Sequence, residues 1–271
     1  MSTNDLQTKP IGVFDSGIGG LTVVKAITER LPNENIVYFG DTARVPYGSK
    51  SPNVVREYAA QDTDVLVSHN VKMIVVACNT VSSVALEVVQ KKANVPVVGV
   101  IVPGAKAATA VSQKKRVGVI GTVGTISSNA YTNAIRLFDP SITVFSQACP
   151  LFVPFAEEGW LDHKAMKIVA EEYLFPLKTE KIDTLVLGCT HYPLLKNVIQ
   201  DFFSDGVQLI DSGEAAAKEV EEVLNEKKLR NPSREQPHIE FFVSDYPFRI
   251  KEIGERFLGR PMGNVRKIEG F

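Results

Sequence analysis

Two cysteines stand in matched settings. Val75-Val76-Ala77-Cys78-Asn79-Thr80 and Val186-Leu187-Gly188-Cys189-Thr190-His191 each run from an apolar stretch to a small residue, a cysteine and then hydrogen-bonding residues. An apolar run bounded by polar residues reads as a buried strand. Each cysteine is therefore expected at the carboxyl end of a strand, where open α/β sheets bind ligands. Free backbone N–H groups at the following helix start would stabilise a thiolate or hold a carboxylate. Two thiols presented this way, one from each half of the chain, suit acid/base chemistry on two sides of one small molecule.

Plainer roles compete with that reading. A cysteine often acts as a small buried hydrophobe. Cys149, in Ser146-Gln147-Ala148-Cys149-Pro150, fits core filler, with no second functional group beside it. Cys78 and Cys189 fit it less well. His191 is placed to tune Cys189 or carry a proton, though lone histidines are commonly structural. Asp15 closes a first apolar run amid Gly17, Gly19 and Gly20; it reads either as a turn residue or as a carboxylate aimed towards Cys78. That glycine turn lacks the spacing of a phosphate-binding loop. The segment Asp41-Thr42-Ala43-Arg44-Val45-Pro46-Tyr47-Gly48 follows a strand and reaches the same rim.

The elements that would position these residues alternate along the chain. The patterns predict strands over 11–14, 35–39, 72–77, 95–101, 116–120, 142–147, 182–187, 207–210 and 239–243. They predict helices over 21–31, 52–69, 81–92, 128–138, 163–177, 194–203, 214–228 and 248–258, with Ser51 capping the second and Pro52 at its first position. Residues 229–238 read as a surface loop. This alternation predicts an α/β protein with parallel, doubly wound sheets. Gly12-Val13-Phe14-Asp15-Ser16-Gly17 also resembles Gly118-Val119-Ile120-Gly121-Thr122-Val123, and a cysteine motif follows each at similar spacing. Two related halves would bring both cysteines to one cleft.

The chain has 271 residues, 44% of them apolar, enough for two modest domains with real cores. Its net charge of -1 and lack of a basic, aromatic-laced cluster argue against nucleic acid or an anionic membrane as partner. No apolar stretch spans a bilayer, and residues 1–9 carry no signal-peptide core, so a cytoplasmic location is expected. There the three cysteines are expected as free thiols, and their wide spacing gives no metal-ligand signature.

Asp15-Ser16-Gly17-Ile18-Gly19-Gly20-Leu21, Pro46-Tyr47-Gly48, Ala77-Cys78-Asn79-Thr80 and Gly188-Cys189-Thr190-His191-Tyr192-Pro193 together resemble bacterial glutamate racemases, in order and over nearly the whole chain. The resemblance implies two α/β domains of related topology with the active site in the cleft between them. One domain would be 1–102 plus 211–271, the other 103–210. It implies cofactor-independent interconversion of L- and D-glutamate, supplying D-glutamate for peptidoglycan. Cys78 would act on D-glutamate and Cys189 on L-glutamate, from opposite faces of the α-carbon. Asp15 and His191 would be auxiliary groups, as would Glu157, whose spacing from Phe152-Val153-Pro154 matches better than that of Glu158. Substrate contacts would come from Asp15, Ser16, Pro46, Tyr47, Gly48, Asn79, Thr80, Thr190 and His191, with Thr122 a weaker candidate. A homodimer is the family tendency. Rival readings are an aspartate or hydantoin racemase, a two-lobed amino-acid-binding module needing neither cysteine, and a thiol redox protein, which would normally carry Cys-x-x-Cys.

Overall fold

The computed structural model describes residues 3–233, 235–246 and 249–270. Its strands are β1 (Ile11–Asp15), β2 (Ile36–Gly40), β3 (Met73–Val76), β4 (Val97–Gly99), β5 (Arg116–Gly121), β6 (Thr143–Ala148), β7 (Thr184–Gly188), β8 (Gln208–Asp211), β9 (Ile239–Val243) and β10 (Val265–Lys267). They form two sheets, in the orders β10-β9-β2-β1-β3-β4 and β6-β5-β7-β8. Every pairing is parallel.

The related halves expected from the sequence are visible in this topology. The order β2-β1-β3-β4 in one sheet repeats as β6-β5-β7-β8 in the other. Each sheet reverses direction of winding beside its central strand, β1 or β5, and a crevice opens there at the carboxyl ends. Cys78 follows the third strand of one set and Cys189 the third strand of the other.

The strand residues are apolar because helices cover both faces. β1, β2, β3 and β7 are buried at every position, as parallel sheets require. Alternate residues feed opposite faces. Val13 and Val75 join Leu21, Ile27, Val220 and Phe257 on one side of the first sheet. Phe14, Ile74 and Val76 join Val55, Leu66 and Val89 on the other. The second sheet divides likewise, Leu185 and Leu187 packing with Met166 and Leu174, and Val119 and Val186 with Ala105 and Ile135.

Several local expectations need correction. The strand predicted over 95–101 is only Val97–Gly99, and Ile101 opens a helix, Ile101–Val111, that the apolar pattern did not separate from it. Pro103 sits in that helix's first turn, where its missing N–H costs nothing. The helix over 81–92 is two helices, Asn79–Val84 and Leu86–Lys92, broken at Ala85, whose φ is -138°. Ser51 and Pro52 start their helix as predicted, but the Ser51 hydroxyl makes no capping bond. The helices Thr3–Gln7 and Phe152–Glu158 and the edge strand β10 were not predicted. The last helix is Ile250–Leu258, and Phe248, its predicted start, lies outside the described residues. Among the described residues no helix is long and apolar enough to cross a membrane.

Candidate active site

Both cysteine motifs open onto one cleft of about 840 Å³, its mouth included. Ser16, Pro46, Tyr47, Gly48, Cys78, Asn79 and Thr80 line it from the first sheet's side, and Thr122, Glu157, Cys189 and His191 from the second's, with Thr190 also in its wall. The two lobes meet closely there. A Cβ placed on Gly19 would stand 2.4 Å from Thr190 Oγ1 and 2.5 Å from His191 Cε1. Only glycine allows the β1 turn to pass so near the Cys189 loop.

Cys78 is 5% exposed and occupies the N-cap of the Asn79–Val84 helix. Its Sγ lies 3.5 Å from Ser16 Oγ. Burial and then the Asp15 charge push its pKa up to about 12, against the pull of Ser16 and the Val81 N–H. Cys78 is thus a thiol in the free protein. Asp15 does not line the cleft. Its carboxylate is buried behind it and accepts from the Gly20 N–H at 2.9 Å. Burial raises its pKa, while His191 and the backbone N–H groups of Gly20, Gly17 and Ser16 oppose the rise.

Cys189 is 6% exposed, with Sγ 3.8 Å from His191 Nδ1. His191 Nε2 in turn lies 2.9 Å from Glu157 Oε1. Burial disfavours the imidazolium, but Cys189 and Glu157 outweigh it and lift the His191 pKa to about 10. At neutral pH both ring nitrogens therefore carry protons, one donated to Glu157 and one directed at Cys189. Glu157 belongs to the Phe152–Glu158 helix. Its neighbour Glu158 faces away and pairs with Arg249 at 3.4 Å.

The remaining expected contacts fall into two groups. Thr80, Thr122 and Thr125 form a hydroxyl cluster across the lobes, Thr80 Oγ1 lying 2.9 Å from Thr122 Oγ1. Asn79 is oriented by the Tyr131 hydroxyl, which donates to its Oδ1 at 2.7 Å. Thr190 accepts at its carbonyl from Thr22. The Tyr47 hydroxyl is committed elsewhere. It donates into a buried set of Asp41 and Asp62, which Arg44 bridges. Tyr47 thus fastens the Pro46–Gly48 turn against the fold and leaves its backbone neighbours to face the cleft.

The structure adds Val123, Pro150, Val153 and Pro154 to the cleft wall. No chemical type marks them in the sequence. Cys149 is fully buried among Phe152, Leu187 and Tyr192, as core filler should be. All three cysteines are free thiols. Among the described residues no group of three or more His, Cys, Asp or Glu side chains could hold a metal ion.

Comparison with known proteins agrees with this geometry. The family model for Asp/Glu/Hydantoin racemase matches residues 11–220. A glutamate racemase of Syntrophus aciditrophicus (strain SB) is 52% identical over 269 residues, covering 99% of this chain and 100% of that one. The crystal structure of glutamate racemase from Francisella tularensis subsp. tularensis SCHU S4 in complex with D-glutamate superposes with a TM-score of 0.92 at 42% identity, over 97% of this chain and 98% of that one. That of Escherichia coli glutamate racemase in complex with L-glutamate and the activator UDP-MurNAc-ala gives 0.77 at 30% identity, over 96% and 98%. With its fold and half its residues shared along nearly the full length, the chain belongs to the Asp/Glu/Hydantoin racemase family, among the glutamate racemases.

Proposed function

We propose that the protein interconverts L- and D-glutamate without a cofactor, Cys78 and Cys189 serving as the two acid/base groups. The observation that carries this reading is the pairing itself. Two thiols from equivalent strand ends of two related sheets line one cleft, Cys78 beside the Ser16 hydroxyl and Cys189 beside the His191 imidazole. Racemisation needs that symmetry, because each enantiomer carries its α-hydrogen on a different face.

With L-glutamate, the Cys189 thiolate takes the α-proton while the neighbouring imidazolium favours the charge on sulfur. The resulting carbanion takes a proton from the Cys78 thiol on the opposite face. A thiol titrating near 12 is still far more acidic than an amino-acid α-carbon, so this transfer runs downhill. D-glutamate reacts in reverse with the form of the enzyme in which Cys78 is the thiolate and Cys189 the thiol, and proton exchange with solvent interconverts the two forms. Hydroxyl and backbone donors around Ser16, Asn79, Thr80, Thr122 and Thr190 suit the two substrate carboxylates.

Glutamate is preferred over aspartate because the full-length relatives at about half identity carry that name. A role in supplying D-glutamate for peptidoglycan is supported by the activator UDP-MurNAc-ala found with the E. coli relative. Three free thiols suit the reducing cytoplasm, to which the protein is assigned. The domains are taken as 1–102 plus 211–271, and 103–210. Consistent with that division, β8 ends the second sheet and the Ser212–Glu226 helix packs back on Leu21–Arg30. A homodimer completes the reading, testable by sedimentation.

The direct test is circular dichroism of purified protein with L- or D-glutamate in heavy water, with no cofactor added. Decay of both signals to zero with deuterium at the α-position is expected. Flat signals from folded protein would overturn the assignment.

A further inference from the structure

The Ile250–Leu258 helix touches both members of the His191–Glu157 pair through two consecutive residues. Arg256 Nη1 donates to the Glu157 carbonyl at 2.5 Å. The Phe257 ring meets the His191 ring edge-on, with centroids 4.9 Å apart and planes at 79°. Neither residue lines the cleft. We infer that this helix is a brace reaching across from the first lobe, and that Arg256 and Phe257 are positioning residues for the Cys189 half of the reaction.

The Phe152–Glu158 helix is only seven residues long, and Glu157 lies in its last turn. Carbonyls there lack intrahelical partners, and Arg256 supplies one. The guanidinium fits because the helix ends on Gly159 at φ +74°, where a Cβ would stand 2.8 Å from Arg256 Cζ. Ala156 on the same short helix packs into the core cluster that holds Ile250, Phe257 and Leu258. The Glu157 side chain is 40% exposed, so its position against His191 depends on how firmly its backbone is held.

The Arg256 bond to the Glu157 carbonyl bears on the Cys189 side, which makes the inference testable. It rests on the two-cysteine reading above. Loss of the brace would raise the barrier to proton transfer at Cys189 and leave that at Cys78. The enantiomers have equal free energies in water, so kcat/KM must fall by one factor in both directions. Isotope effects break that tie. With α-deuterated L-glutamate, deuterium crosses at the slowed step. With α-deuterated D-glutamate it crosses at the unslowed one.

The experiment compares Arg256→Met, Arg256→Lys and the unaltered protein. R256M is expected to lower kcat/KM on the order of tenfold both ways. Its substrate isotope effect should grow with L-glutamate and shrink towards unity with D-glutamate. R256K, which still offers a donor, should restore most of the rate and reduce the skew. Unchanged rates, or isotope effects that move together, would overturn the brace. Should R256M not fold, R256K carries the same test through a smaller skew, and its absence overturns the inference. Full activity in C78A or C189A would instead remove the two-cysteine reading itself; inactive cysteine variants beside an unskewed R256M would remove only the brace.

Discussion

His191→Asn isolates the charge beside Cys189. The imidazolium Nδ1 stands 3.8 Å from the sulfur. At an effective dielectric constant of about 20, a full charge pair at that distance is worth about 4 kcal/mol. Measured from the thiol form of Cys189, a transition state with half a charge on sulfur loses about 2 kcal/mol, or about 30-fold in rate; a full thiolate would make it about 1000-fold. H191N should therefore lose between about 30- and 1000-fold in kcat/KM, measured by circular dichroism in both directions. The pH profile gives a second signature. The His191 pKa is raised from 6.5 to about 10, so the unaltered protein should lose activity as pH climbs through about 10, and H191N should lack that limb. The raised value also links to stability. The imidazolium's contribution is complete below pH 6.5 and vanishes as pH rises through about 10. Thermal unfolding of the two proteins should therefore converge in alkali. H191N within threefold of the unaltered rate, with the same alkaline limb, would refute the role of this charge.

Cys78→Ala and Cys189→Ala should each abolish racemisation, read by polarimetry, while far-UV spectra stay native; full activity in either refutes the two-base scheme. Glu157→Gln removes one of the groups that raise His191, so the alkaline limb should move to lower pH with a loss of about tenfold in kcat/KM. Glu158→Gln should change neither, since its partner is the exposed Arg249. Tyr47→Phe leaves buried carboxyl oxygens of Asp41 and Asp62 without their phenol donor, at a cost of about 1–3 kcal/mol in denaturant unfolding. It should also raise KM, because Pro46 and Gly48 line the cleft; unchanged stability would mean the phenol is not holding the turn.

Strand positions were legible because burial on both faces leaves an uninterrupted apolar signature, as in Met73–Val76 and Thr184–Gly188. Helices beginning directly after a strand were harder. Ile101–Val111 is as apolar as the strand before it, so pattern alone could not divide them. The Phe152–Glu158 helix is too short for a helical period to register.

The sequence by itself determined that this is an α/β chain of two similar halves, with Cys78 and Cys189 at equivalent strand ends. Those features are local: an apolar run, its terminating residue and the spacing of motifs. Tertiary structure alone decided which partners these residues have. Glu157, favoured over Glu158 beforehand only by the family resemblance, meets His191 across 34 positions, and Arg256 meets Glu157 across 99. It also set Asp15 behind the cleft and turned the Tyr47 hydroxyl into a buried carboxylate pair. Such choices depend on how two lobes and a distant helix pack together, and no local pattern of residues encodes a contact between segments so far apart.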